Sequence, residues 1–153
     1  AKAEDGSMSV RAYFPLTVSE FRAWPNVTPS IAFIPHPRTH GLKGDALDEV
    51  EWLAMSYAAA ALEEHAAQAG EGRVVLAADI PAPKNTTDAG GNVLAFEPAQ
   101  FDPSKVVSAH IDDPDELSRL GSDAQANLSI LRDTSLVWYD ASEFRELIEL
   151  TLK

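Results

Sequence analysis

Hydrophobic and polar residues are patterned along the chain in a way that predicts five strands. Alternating residues rich in strand formers predict a strand at 10–14. A nearly continuous apolar run predicts a buried central strand at 73–80. Shorter apolar runs predict strands at 92–97, 105–111 and 135–139, and the polar stretch 83–91 predicts a loop. The chain therefore supplies enough strands for one sheet.

The clearest helix of the sequence spans residues 45–69. Apolar residues recur there at helical spacing, Asp45 caps the start and Gly70 ends the helix. We expect this helix to lie against a sheet on one side and against a subunit on another. The predicted apolar face consists of Leu47, Val50, Ala54, Tyr57, Ala58, Ala61, Leu62 and His65, widened by Trp52, Leu53 and Met55.

Capping patterns predict three further helices. Thr17 and Glu20 form a capping-box pattern before a short helix, and Asp140 and Glu143 repeat that pattern before a terminal helix. Asp113 precedes a proline and two acidic residues, which is typical of a helix start. Each of these helices follows directly on a predicted strand.

Residues 25–44 contain no convincing long element, because four prolines and two glycines interrupt them. A helical turn at 28–33 and a short edge strand at 31–34 are both compatible with the pattern. If one short predicted strand and one short predicted helix are left out of the count, the order of elements is β-α-β-β-α-β. We therefore predict an α+β two-layer sandwich, with a ferredoxin-like (split βαβ) core, an extra terminal helix and a long Pro-rich loop.

The chain has 153 residues, of which 45% are hydrophobic, and this composition fits one domain over residues 8–153. Residues 1–7 are small and polar and precede Met8, which indicates a cloning remnant or a flexible N-terminus. The 12 Lys and Arg and 24 Asp and Glu give a formal charge of −12, so we expect no nucleic-acid partner.

The absence of cysteine excludes disulfides, thiolate zinc sites and iron–sulfur clusters. No apolar run approaches the ~20 residues of a membrane span, and no signal peptide is recognisable. We therefore expect a cytoplasmic protein with no membrane partner.

Four segments resemble a family of small uncharacterised actinobacterial proteins. They are 10–17 (VRAYFPLT), 49–55 (EVEWLAM), 75–81 (VLAADIP) and 136–143 (LVWYDASE). Most of these positions are core or capping residues. The family has no assigned activity, so the resemblance implies no catalytic residue and no cofactor. Residues 34–44 depart from the family pattern.

A positive island lies between Glu20 and Asp45, where the sequence has no acidic residue. A flexible basic loop of this kind can bind phosphate or carboxylate, or its charges can simply balance an acidic surface. His36 and His40 have a spacing that could bind a metal ion if they lay on a helix. The neighbouring Pro35 and Pro37 disfavour a helix there, so we predict no metal site. The candidate ligand-binding residues are Arg22, His36, Arg38, His40 and Lys43.

Asp79, His110 and Asp112 are weak catalytic candidates, because each lies near the end of a predicted central strand. If those strands are neighbours, an imidazole and two carboxylates could converge for acid–base catalysis or Mg²⁺ binding. The alternative is that these acids end strands and cap helices.

The sequence has no phosphate-binding loop, dinucleotide fingerprint or hydrolase motif. We therefore predict a non-enzymatic binding or interaction module, without a cofactor, that forms a homodimer through its long apolar helix. The alternative is a small enzyme or ligand-binding protein that holds an anionic metabolite with the basic loop 22–43. A third hypothesis uses the six acids of the 45–69 helix to bind a basic partner.

Overall fold

The computed structural model describes residues 9–152, which form a seven-stranded antiparallel sheet and six helices. Residues 1–7, predicted as a cloning remnant or flexible N-terminus, lie outside the described part. The strand order is β4-β5-β2-β1-β3-β6-β7. The strands are β1 (Ser9–Thr17), β2 (Ala32–Pro35), β3 (Arg73–Pro81), β4 (Thr87–Gly90), β5 (Val93–Phe96), β6 (Val106–Asp112) and β7 (Leu136–Asp140).

The helices are short apart from one. Both predicted capping boxes are confirmed, at Thr17 with Glu20 and at Asp140 with Glu143. Asp113 caps the helix that begins at Pro114, as expected. The helices are α1 (Val18–Phe21), α2 (Asp45–Ala61), α3 (Glu63–Ala69), α4 (Pro114–Leu117), α5 (Ala124–Asp133) and α6 (Phe144–Leu150).

Helices cover both faces of the sheet, because strand side chains alternate between the faces and both sets are apolar. On the α6 face, the core comprises Ala12, Phe14, Leu16, Leu76, Ala109 and Ile111, with Phe21 of α1 and Phe144 and Leu147 of α6. On the α2 face, it comprises Tyr13, Phe33, Val75, Ala77 and Val93, with Ala54 and Ala58 of α2. The α+β class is confirmed, but helices lie on both sides rather than in one layer.

The ferredoxin-like core is not confirmed. In a split βαβ unit, a further strand separates the two parallel strands that a helix connects. The helices α2 and α3 connect β2 to β3, which both pair antiparallel with β1 between them and so form one such unit. Within residues 9–152 a second unit does not form, because β6 and β7, which α4 and α5 connect, are adjacent and antiparallel. The strands β1, β3, β6 and β7 then follow in chain order. The sheet is also larger, since β2 lies inside it rather than at an edge and β4 forms within the predicted polar loop 83–91.

The predicted helix at 45–69 is broken at Leu62, which has φ −109° and ψ 10°. Before the break, Val50, Ala54 and Ala58 are buried as predicted. Ala61, the last residue of α2, and His65, after the break, are exposed, contrary to the predicted face. There, Ala66 and Ala67 pack against Leu131 of α5 instead.

An arginine and two glycines lie at the ends of α2 and α3. The Arg73 guanidinium donates to the carbonyl of Ala59 (3.3 Å), next to the end of α2. Gly70 ends α3 in the left-handed conformation, as predicted. At the start of α2, the N-cap is Gly44 rather than Asp45, which lies in the first turn.

Candidate functional site

A cleft of about 1050 Å³ opens on the α6 face, where β3 and β5 end and β6 begins. The sheet forms its apolar floor, which consists of Phe14, Ala78, Ile80 and Phe96. The connections 82–86 and 97–105 form its walls, and Phe101 projects into it from the second wall. The cleft is therefore a concave apolar surface that three separate parts of the chain enclose.

Aromatic packing orders the floor of this cleft. The ring of Phe14 contacts that of Phe101 edge to face, with centroids 5.1 Å apart and an interplanar angle of 74°. Phe96 meets Phe14 in the same way at 6.3 Å and 82°. Phe14 is buried, but Phe96 and Phe101 are only partly covered. Part of the aromatic surface is therefore available to a ligand.

The wall 97–105 is held by a local hydrogen-bonded turn. The Asp102 carboxylate accepts from the backbone N–H of Ser104 (2.9 Å) and from its hydroxyl (2.6 Å). These bonds lower the pKa of Asp102, so the side chain stays ionised near neutral pH. Pro103 begins the 3-10 turn that follows. This arrangement fixes the wall without using the lysine at its end.

Two lysines and two carboxylates lie at the rim of the cleft. Lys84 and Lys105 are exposed, and neither forms an ion pair with any residue of 9–152. Asp102 already accepts two hydrogen bonds, whereas Glu97 has none within the described residues. The four formal charges at the rim sum to zero, and the two lysines are the cationic groups that a bound anion could contact.

The structure separates Arg22 from the rest of the predicted basic site. Tyr13 pairs with Phe33, so the loop after β2 lies beside the start of β1, whereas Arg22 follows the end of β1. The two ends of β1 are ~25 Å apart at ~3.3 Å per residue. Arg22 donates instead to the carbonyl of Leu152. His36, Arg38, His40 and Lys43 do lie in one segment.

That segment uses several polar groups for its own folding. His36 Nδ1 accepts from the backbone N–H of Arg38 (3.1 Å), which caps a 3-10 turn at Pro37–Thr39. Arg38, His40 and Lys43 are exposed. The pocket next to the segment has a volume of only about 170 Å³ and includes His40, Arg11 and Glu51 in its lining.

In this small pocket, the charges are already balanced within the protein. Arg11 forms a two-point contact with Asp79, at 2.7 Å from Nε to Oδ1 and 3.3 Å from Nη2 to Oδ2. Burial raises the pKa of Glu51, and the nearby Arg11 guanidinium opposes that rise. An anionic ligand would have to compete with both carboxylates for Arg11.

The structure does not bring Asp79, His110 and Asp112 together. Their strands β3 and β6 are neighbours, as expected, but they are antiparallel, so their ends lie at opposite edges of the pair. His110 pairs with Val75, which places Asp79 four residues further along β3, ~13 Å away. Asp112 is fully buried and pairs with Arg73. The three residues therefore cannot act on one substrate atom.

His110 lies on the α2 face, beside Trp138 of β7. Its imidazole is half-buried, and its Nδ1 is buried without a hydrogen-bond partner among residues 9–152. Burial lowers the pKa of His110, because the charged form loses hydration.

Residues 9–152 contain neither a metal-binding cluster nor a membrane-spanning helix. Between residues 9 and 152, no three His, Asp or Glu side chains are grouped as a metal ion would require. None of the helices in that range is sufficiently long and apolar to cross a membrane.

The fold and the cleft define an α+β protein with a seven-stranded antiparallel sheet and a ligand-sized apolar cleft at one end of it. A family model, described as a family of unknown function (DUF6912), matches residues 10–148. The chain belongs to this family, which confirms the predicted resemblance to a family without assigned activity. Its actinobacterial distribution stays a prediction. Neither the curated proteins nor the solved structures contain a significant match.

The cleft is the feature that sequence reasoning missed. The pattern predicted a polar loop and a short strand between Pro81 and Lys105, and neither suggests a pocket. A usable signal is the composition of that stretch, which combines rigid prolines with Phe96 at the end of a predicted strand and Phe101, which fits no periodic element. These residues are Pro81, Pro83, Phe96, Pro98, Phe101 and Pro103.

Proposed function

We propose that the protein binds a small molecule with an apolar body in the cleft at the end of β3 and β5. The observation that supports this is the open aromatic floor, since Phe96 and Phe101 stay partly exposed at the bottom of a concave surface. Ligand sites are typically apolar concavities of ~300–1,000 Å³ with a few polar groups at the rim. The cleft has this size and this composition.

The two lysines of the rim can contact a ligand that carries an anionic group. Lys84 and Lys105 form no ion pair within residues 9–152, so each can bond a carboxylate or a phosphate, although Glu97 and Asp102 balance their charge. The ligand class is therefore an aromatic or aliphatic acid, with its apolar part on Phe14, Phe96 and Phe101. The proposed ligand is anionic, like the ligand predicted from the sequence, but it binds in the cleft and not in the basic loop 22–43.

The basic loop is less well supported as a ligand site. Arg22 lies at the other end of β1, and the pocket beside His40 has about 170 Å³, below the usual range for a small-molecule site. Arg11 in the lining of that pocket is also paired with Asp79.

A screen of matched compounds tests the proposal. Aromatic and aliphatic carboxylates would be compared with their neutral amides by thermal shift and by amide chemical-shift mapping. We expect the carboxylates to bind more tightly and to perturb residues 78–81 and 96–105. In the variant Ala99→Trp, which fills the cleft from an exposed position, affinity should fall at least about tenfold. Ala46→Trp, on the exposed side of α2, is the matched control.

A pair of double variants locates the anion. Lys84→Gln with Lys105→Gln should weaken carboxylate binding several-fold, whereas Arg38→Gln with Lys43→Gln should leave it unchanged. The opposite result would place the site in the basic loop. If no compound perturbs the cleft residues, the proposed function is wrong.

A further inference from the structure

The two edges of the sheet differ in how well they are protected against pairing with another strand. At one edge, β4 has only four residues, and its register with β5 shifts between Asp88 and Gly90. The Asp88 carboxylate also accepts from the N–H of Gly90 (2.8 Å). Short, irregular and charged edges of this kind resist the addition of a strand.

The other edge, β7, has five residues and ends in the charged Asp140, but it has no register shift. It pairs with β6 in unbroken register from Leu136 to Asp140. Its central residue, Trp138, is 56% exposed. A regular edge strand with an exposed aromatic residue at its centre is typical of a strand that accepts a partner.

The ladder between β6 and β7 shows which backbone groups of β7 face outward. Asp113 N–H donates to the carbonyl of Ser135 (3.0 Å), one position beyond the last strand pair. Hydrogen-bonded and non-hydrogen-bonded pairs alternate in an antiparallel ladder. Val137 and Tyr139 therefore bond to β6, and Leu136 and Trp138 direct their N–H and C=O groups to the open edge. Asp140 N–H is occupied by the Glu143 carboxylate (2.9 Å).

We propose that β7 pairs antiparallel with β7 of a second copy, about a two-fold axis that passes beside Val137. In this register, Leu136 of each chain faces Trp138 of the other, and the N–H and C=O groups of both residues find a partner. On the α2 face, the side chains of Leu136 and Trp138 then pack together at two symmetric places. On the α6 face, the two Val137 side chains pack against each other. Such an interface is self-complementary, as two-fold symmetry requires.

This surface replaces the one predicted from the sequence. The apolar helix was expected to carry the homodimer, but α2 ends at Ala61 and its Val50, Ala54 and Ala58 are covered by the sheet. Trp52, 61% exposed, remains on its outer side as a single large apolar residue. It has no row of open backbone groups beside it.

The net charge of the chain predicts opposite salt dependence for two possible partners of β7, a second copy and a basic peptide. The chain carries a formal charge of −12, so two copies repel each other and salt should strengthen their association. A basic peptide added to the same edge would be attracted by that charge, and salt should weaken its binding. The pairing proposed here depends on backbone and apolar contacts, which salt does not screen.

Sedimentation equilibrium of the whole chain, from micromolar to millimolar concentration and at low and high salt, tests the proposal. We expect a monomer–dimer equilibrium that shifts to dimer as salt increases. Trp138→Lys should weaken the dimer at least about tenfold, because a central aromatic residue is replaced by an edge-protecting charge. Trp52→Lys, at an equally exposed tryptophan, should leave the dimer unchanged. Circular dichroism checks that both variants fold.

Amide hydrogen exchange of the unaltered chain gives a second, variant-free test. The amides of Leu136 and Trp138 should gain protection as concentration rises, whereas those of Val137 and Tyr139 should be protected at every concentration. A monomer at all concentrations would overturn the proposal. So would a dimer that Trp52→Lys breaks and Trp138→Lys leaves intact, or an edge that binds only basic peptides. None of these results depends on ligand binding in the cleft.

Discussion

Arg73 of β3 and Asp112 of β6 form a two-point ion pair inside the protein, with 2.9 Å from Nη2 to Oδ1 and 3.0 Å from Nε to Oδ2. Asp112 also accepts from the backbone N–H of Arg73 (2.7 Å). The guanidinium donates further to the carbonyls of Ala59 and Leu131. One buried cation therefore fixes the ends of α2 and α5 to the sheet.

We predict that Asp112→Asn lowers the free energy of unfolding by about 3 kcal/mol, because it leaves the buried Arg73 guanidinium with only the longer ion pair to Glu63 (3.6 Å). Asp79→Asn is the matched control, since Asp79 pairs with Arg11 across the neighbouring strands but at the surface. Its cost should be at most about 1 kcal/mol. Urea unfolding followed by circular dichroism measures both. Equal costs would show that burial does not decide the strength of these pairs.

Gly70 should tolerate no side chain. It has φ +69°, and a Cβ there would lie 2.8 Å from the carbonyl oxygen of Gly121. We expect Gly70→Ala to destabilise the protein by at least about 1 kcal/mol, as measured by the thermal midpoint and by urea unfolding. Gly41→Ala meets no atom within 4 Å and should be neutral or slightly stabilising. A neutral Gly70→Ala variant would contradict the close contact.

Asn127 connects α3, α5 and the segment before α5. Its Nδ2 donates to the carbonyls of Ala67 (2.9 Å) and Gly121 (2.8 Å), and its Oδ1 accepts from Gly121 N–H (2.9 Å). Asn127→Asp places a carboxylate oxygen against those two carbonyls. We predict a loss of stability of at least about 2 kcal/mol at neutral pH.

The loss in Asn127→Asp should shrink as pH falls, because a protonated carboxyl group can donate one of the missing hydrogen bonds. Unfolding measured from neutral to acidic pH checks this recovery. The exposed Asn85→Asp is the control, and its stability should stay close to that of the unaltered chain over the same range. A pH-independent deficit at position 127 would count against the hydrogen-bond explanation.

His110 predicts a loss of stability in mild acid. Burial lowers its pKa from about 6.5, so the folded protein binds this proton less readily than the unfolded chain. As pH falls below about 6.5, the unfolded state takes up the proton first, and the contribution of neutral His110 is lost down to the pKa of the folded state. The imidazole is only half-buried, so the loss should be a fraction of ~1.4 kcal/mol per pH unit.

The variant His110→Gln should remove this part of the pH dependence. Comparison of its unfolding free energy with that of the unaltered chain, between pH about 7.5 and 5.5, isolates the histidine from the carboxylates that also titrate. The exposed His65→Gln should retain the full dependence. If His110→Gln and the unaltered chain lose stability in parallel, the buried imidazole is not the cause.

Local rules predicted most of the elements from the sequence. The capping boxes at Thr17 and Asp140, the long buried strand β3 and the glycine stop at Gly70 depend on residues close together in the chain, and all are confirmed. The break at Leu62 could not be predicted in that way. It lies where the guanidinium of Arg73, from a strand that comes later in the chain, bonds to Ala59.

Strand order and the candidate site depend on long-range pairing, which single-sequence patterns do not contain. Arg22 and His36 are close in sequence, but the β1–β2 pairing places them at opposite ends of a strand. Asp79 and His110 end neighbouring strands, but the antiparallel pairing moves them apart. The cleft exists only after β3, β5 and the segment 97–105 have come together.

The nine-residue pairing of β1 with β3 has a consequence for how the chain folds. Thr17 pairs with Arg73 and Ser9 with Pro81, so these partners are 56 to 72 residues apart in sequence. The chain loses conformational entropy when it closes so large a loop, and this loss comes before the stabilising strand contacts form. Folding is therefore slow. During synthesis, β1 emerges first and must wait for β3, and its apolar residues stay exposed to aggregation for that interval.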